Sequence, residues 1–129
     1  MKKDIDFSPV KNIHVAIGKN GEGWKAYLLN RGDQKIENVM ITSRGYGESQ
    51  AKKQETSILR HVIPHVEPKE FALIEPVDES VFHLNNEYWV SYFIDSQVFD
   101  KKFIFLPDSI IEENLTTIAE LEMKGILHD

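Results

Sequence analysis

Apolar and polar positions alternate with a period of two along most of this chain, which is the pattern of half-buried strands. Ile13, Val15 and Ile17 alternate with His14 and Ala16, predicting a first strand. GKNGEG (18–23) reads as a glycine-rich hairpin loop, and WKAYLL (24–29) as the next strand. Asn30-Arg-Gly-Asp-Gln34 predicts a turn, leading into a strand at 36–43 with Val39 and Ile41 on one face. Residues 44–56 (RGYGESQAKKQET) are polar and predict an exposed, mobile loop. Strand character returns at 57–63 and at 70–75, where Pro76 is expected to end the run.

The stretch YWVSYFI (88–94) is apolar on both faces. It predicts a central strand covered on both sides. After the turn Asp95-Ser-Gln97, a last strand runs over 98–106 with Lys101 and Lys102 in its middle. Those lysines would protect the strand if it lay at a sheet edge. The period then changes. Ser109 and Glu112 have capping-box spacing, and Ile111, Leu115, Ile118 and Glu122 fall on one helical row. Gly125 with Ile126 behind it reads as a helix stop. One amphipathic helix is predicted over about 109–124. The expectation is one domain, 1–129: a mainly β, antiparallel β-sandwich of about seven strands (about 10–106) and a C-terminal helix.

Composition narrows the functional classes. Hydrophobic residues make up 41% and charged residues 28% of 129 residues, ordinary for a soluble folded domain. The net charge of −6 disfavours nucleic acid as a partner, since phosphate neutralisation supplies most of that affinity. There is no cysteine, so disulfides, thiolate zinc sites and a Cys nucleophile are excluded. The start MKKDIDFSPV has no apolar core behind its lysines, and no run approaches the ~20 apolar residues of a membrane span. A cytoplasmic protein without membrane contact is expected.

Two stretches carry a resemblance. WKAYLLNRGDQKIENVMITS resembles the strand–turn–strand of immunoglobulin-like domains, and LNNEYWVSYFIDSQVFDKKFIF is similar to their closing hairpin. The resemblance implies an immunoglobulin-like sandwich with Tyr88 near the tyrosine-corner position, although the Cys pair and intervening Trp of antibody domains are absent. The whole chain also resembles a small bacterial family of uncharacterised proteins, some labelled phenylalanyl-tRNA synthetase alpha subunit. The chain is too short for a synthetase catalytic domain and carries no aminoacylation motif. The resemblance therefore implies at most an accessory module related to a synthetase.

Each candidate for chemistry has a simpler structural reading. In HVIPH, His61 and His65 would converge on one ion only in a helix, which Pro64 opposes. On a strand they lie about 13 Å apart. GESQA (47–51) lacks the second glycine of a nucleophile elbow. Gly18, Gly21 and Gly23 match neither phosphate-binding spacing and precede a strand. No catalytic, metal or cofactor-binding residue is identified. The expected role is a non-enzymatic binding or structural module, acting on a protein partner or a second copy through sheet edges or loop 44–53. Arg44 and Tyr46 there are typical interface anchors, and Lys52 and Lys53 add local positive charge. The alternative is a small-ligand binder or minor enzyme with a pocket between sandwich and helix, lined by aromatics such as Trp24, Trp89 and Tyr92. Arg31-Gly32-Asp33 reads as the β-turn, with Gly32 free to take a positive φ and Asn30 or Asp33 able to bond back to the backbone, and not as an integrin-adhesion signal.

Overall fold

The computed structural model describes residues 9–21, 23–49 and 52–129. Residues 1–8, most of the stretch MKKDIDFSPV, lie outside them, as do Glu22 of the glycine loop and, with the Ser49 side chain, Gln50 and Ala51 of the elbow-like stretch. The chain is mainly β, with two antiparallel sheets. Its strands are β1 (Ile13–Asn20), β2 (Gly23–Asn30), β3 (Ile36–Ser49), β4 (Lys52–Glu55) and β5 (Leu59–Val66). They continue with β6 (Phe71–Val77), β7 (Asn85–Ile94), β8 (Gln97–Phe105), β9 (Thr116–Ile118) and β10 (Met123–His128). The first sheet has the order β6-β2-β1-β10-β9. The second has the order β4-β3-β7-β8, with β5 continuing the β4 edge along β3.

The core lies between the sheets. Val15, Ile17 and Leu28 of the first sheet pack with Ile41, Val90, Tyr92 and Phe103 of the second. These residues are the inward half of the alternation read from the sequence. Burial of each side chain of this kind contributes roughly 1.5–3 kcal/mol. The expected hairpin 88–106 is β7–β8, and Tyr92 and Phe99 stack within it at 5.2 Å.

The predicted helix over 109–124 does not form. That segment holds a 3-10 turn (Glu112–Asn114), strand β9, a second 3-10 turn (Ala119–Leu121) and the start of β10. Ser109 does not cap a helix; its hydroxyl donates to Leu106 O at 2.7 Å. Gly125 is not a helix stop but a strand residue opposite Gly18 of β1. The reason lies in the first sheet. Ala16, Tyr27 and Leu29 point away from the sandwich core, and Ile118 and Leu121 bury them, with Met123 and Leu127 packed alongside. The apolar residues of the helical row thus serve a ribbon. That ribbon covers a sheet face and satisfies the open edge of β1, where a helix could do only the first.

Other expectations are corrected in detail. β1 is buried on both faces, because Ala16 is fully buried, as Val15 is. Residues 44–56 are no loop for most of their length: β3 runs through Arg44 and Tyr46 and pairs with β4 at Tyr46↔Glu55 and Glu48↔Lys53. Pro76 lies inside β6 and Pro64 inside β5, both on sheet edges, the strands in which proline is tolerated. β7 is central as read, but its outer face is not covered: Trp89 and Phe93 are exposed.

The Asn30–Gln34 turn forms as predicted, through the Asn30 side chain and without a positive φ at Gly32. Gly32 lies outside the left-handed region. Buried Asn30 closes the turn instead: its Oδ1 accepts from Gly32 N at 3.0 Å. Its Nδ2 donates to Gln34 O at 2.9 Å and to Val66 O at 3.1 Å. Arg31 grips Glu120 through two nitrogens, the second at 3.1 Å. Asp33 pairs with Lys69 at 3.2 Å. Both charges of the tripeptide are thus engaged within the chain.

His14 sits on the covered face of β1 with its Nδ1 buried and without a hydrogen-bond partner. Burial, and then the nearby Arg31 guanidinium, hold its pKa below the ordinary histidine value; Asp129 and a His128 backbone bond oppose this, and Lys101 adds to it. A depressed histidine binds fewer protons folded than unfolded. Its stabilisation is therefore present above the unfolded value of about 6.5 and lost as pH falls through the folded one. We expect the wild-type melting temperature to drop more between pH 7 and pH 5 than that of His14→Gln. Parallel melting curves across that range would refute this assignment.

Candidate functional site

The outer face of the second sheet is built by alternation from β5, β3, β7 and β8. Register aligns Val62, Met40, Ser91 and Asp100 in one row and Arg60, Thr42, Trp89 and Lys102 in the next. Relative exposure is 72% for Val62, 58% for Met40, 43% for Trp89 and 36% for Phe93. On the first sheet the corresponding face is largely closed by Ile118 and Leu121. Nothing among the described residues covers the second. Trp89 is held in place on its strand: its Nε1 donates to Asp100, and the Lys102 ammonium lies 4.5 Å from its ring centroid.

The β3–β4 hairpin continues this face. Arg44 lies over the Tyr46 ring at 4.6 Å and reaches Glu87 Oε2 at 3.4 Å. Tyr46 OH donates to Glu87 Oε1 at 3.2 Å. Burial, and then the Glu87 carboxylate, push the Tyr46 pKa up, so the phenol stays a donor. Glu87 is itself buried. Arg44, Tyr46 and Lys53 line one cleft of about 330 Å³, together with Gly47, Gln54 and the acidic Glu48 and Glu55. Lys52 lies on the same strand but not in that cleft, opposite Ser49. Of the four expected contact residues, the structure brings three together, with Arg44 and Tyr46 both reaching Glu87.

A second polar cluster was not foreseen. In β6 a bulge at Ile74 shifts the register between Ala26 and Tyr27. The Glu75 carboxylate reaches across the seam between the sheets. Its Oε1 accepts from Ser43 Oγ at 2.8 Å and lies 2.7 Å from His61 Nε2; its Oε2 accepts from Tyr88 OH at 3.2 Å. Burial drives the Tyr88 pKa far up. Ser43, Glu75 and Tyr88 line a cleft of about 200 Å³. Ser43 and His61 both bind the carboxylate and not each other, so the serine–histidine bond of a nucleophile relay is missing. The cluster ties the sheets together. Tyr88 bonds to this side chain and not to backbone, so it is not a tyrosine corner of the usual kind.

His61 and His65 face separate carboxylates, Glu75 and Glu67, the latter at 3.6 Å. No group of three or more His, Asp or Glu side chains among the described residues could hold a metal ion. The glycine loop joins two strands, with Gly23 at φ +145°. No helix among the described residues is long and apolar enough to cross a membrane. Comparison of the chain with protein-family models, with curated proteins and with solved structures finds no match in any of the three.

Proposed function

We propose that this chain is a non-enzymatic, immunoglobulin-like binding module that engages a protein partner through the outer face of its second sheet. The immunoglobulin-like reading is supported by connectivity: β6-β2-β1 and β3-β7-β8 follow the E-B-A and C-F-G strand orders of such sandwiches. The C-terminal ribbon is then an addition beside the first strand. The observation that carries the functional reading is the uncovered Met40, Val62, Trp89 and Phe93 face, flanked by the ordered Arg44–Tyr46 pair. Trp, Tyr, Arg, Met and Phe are the residues that interface cores favour.

The sheet edges argue for a face over strand addition. Pro76 stands in β6, Pro64 in β5, Lys101 and Lys102 in β8, and β9 has only three residues. These are the devices that blunt edge pairing. Trp89→Glu with Met40→Glu should leave the fold intact, because both side chains are exposed. We expect affinity capture from the native cell to retain a discrete protein on the wild type and lose it on the double variant. A folded double variant that retains the same protein would refute the face as the site.

A further inference from the structure

The outer face of the second sheet carries charges that its own chain leaves unmatched. The Asp100 carboxylate accepts from the Trp89 indole, and the Lys102 ammonium lies over the same ring. Neither meets an opposite charge among the described residues. Both stand on β8, two residues apart and on one face. The rows through Asp100 and through Lys102 lie at the centre of that face. Beyond the first lie Glu37, Phe93 and Val98; beyond the second lie Arg44, Glu87 and Ile104. Arg44 and Glu37 each make one ion pair within the chain, with Glu87 and Lys35, yet both remain half-exposed.

This order of rows is complementary to itself. Consider a second copy turned about a two-fold axis that runs along the rows, midway between the two central ones. The axis exchanges the central rows with each other and the outer rows with each other. Lys102 then faces the partner's Asp100, and Asp100 faces the partner's Lys102. Arg44 faces the partner's Glu37. Trp89 lies over the partner's Ser91, a large side chain over a small one, and Val98 meets the partner's Ile104. The other two-fold in the plane, along the strands, sets Arg60 on the partner's Lys102 and Val62 on the partner's Asp100, which is unfavourable at both points. Charge complementarity therefore selects the first axis. Sheets that pack face to face stand about 10 Å apart with nearly aligned strands, within reach of these side chains. We infer that the partner of this face is a second copy of the chain, in a symmetric dimer that buries the Met40, Val62, Trp89 and Phe93 patch of both copies. The inference rests on the outer face being the interface and names its occupant.

Sedimentation equilibrium of the full chain tests the pairing. The wild type is expected to be a dimer in concentration-dependent exchange with monomer. Asp100→Lys sets lysine against lysine at each pair, and Lys102→Asp sets aspartate against aspartate. Each should weaken the dimer by about tenfold or more, because like charges then meet across the interface. An equimolar mixture of the two variants restores opposite charges at both positions. With one variant labelled, the mixture should form a heterodimer about as tight as the wild-type dimer, which also shows that both variants fold. Trp89→Glu with Met40→Glu should be monomeric. A wild type that stays monomeric at millimolar concentration, a dimer that survives both single charge reversals, or a mixture no tighter than either variant alone would each overturn the second copy as partner. Capture of a different protein, lost on Trp89→Glu with Met40→Glu, would in that case keep the face and change only its occupant.

Discussion

Gly125→Val is expected to destabilise the fold by about 3 kcal/mol, the upper range for overfilling a packed site. In a domain of this size that lowers the melting temperature by about 12 °C. Valine is a favourable strand residue, so propensity alone predicts a gain. Contact geometry reverses the sign. A Cβ at position 125 would stand 2.7 Å from Ile17 O and 3.0 Å from Gly18 Cα. Both are backbone atoms that cannot rotate away. The third contact, Ile118 Cδ1 at 2.9 Å, is a side-chain tip that can. The ladder between β1 and β10 must therefore widen, and Ile118 and Leu121 lift from Ala16, Tyr27 and Leu29. Gly21→Val is the control, because no atom lies within 4 Å of its added Cβ. Equal melting temperatures for the two variants would remove the close approach as the reason for glycine at 125.

Asn30→Ala should cost a comparable amount, about 3 kcal/mol, for a different reason. The amide serves three backbone groups, Gly32 N, Gln34 O and Val66 O, from a buried position. Alanine leaves all three to find water or go without, at roughly 1 kcal/mol or more each. Asn30→Asp makes the argument sharper. Its carboxylate could still accept from Gly32 N, but it would face two carbonyl oxygens and be driven to the protonated form. Such an aspartate has a raised folded pKa, so its contribution is present at low pH and lost as pH rises through that value. Urea melts should show Asn30→Asp far less stable at pH 7 than Asn30→Ala, with the gap closing near pH 4. A pH-independent difference between the two variants would sink this account.

These two positions show what the chain discloses locally and what it does not. The Asn30 turn was legible because Asn, Gly and Asp between two alternating runs have few other uses; the particular bonds depended on Val66, distant in sequence. The two-sheet β architecture was legible from period-two alternation. Gly125 misleads because a glycine after an apolar row looks the same at a helix end and at a strand crossing. Only the partner, Gly18, tells them apart. Thr116, Thr117 and Ile118 are consecutive β-branched residues and were the local sign against a helix.

The candidate site was legible in part. Arg44 and Tyr46 stood out by residue type, although they lie on a strand and not on a loop. YWVSYFI was read as covered on both faces, because alternation cannot distinguish an apolar face that is buried from one that is left open. Trp89 and Phe93 were therefore assigned to the core. The Glu75 cluster has no spacing signature, since Ser43, His61, Glu75 and Tyr88 come from four strands. An acidic residue beside Pro76 in an otherwise apolar run was its only trace.

The C-terminal ribbon also orders events during folding. β10 pairs with β1, so contacts between the first and last strands span nearly the whole described chain. Such pairings form slowly, because the loop-closure entropy is met before the contact is made. During synthesis β1 emerges with β2 close behind it but long before β10, its neighbour on the other side. Until residues 116–128 arrive, Ala16, Tyr27 and Leu29 have no cover and one edge of β1 has no partner. A nascent chain held short of that point presents an apolar sheet face beside an open edge, the combination that invites aggregation. Of the described strands, β9 and β10 are made last, and they end this exposure.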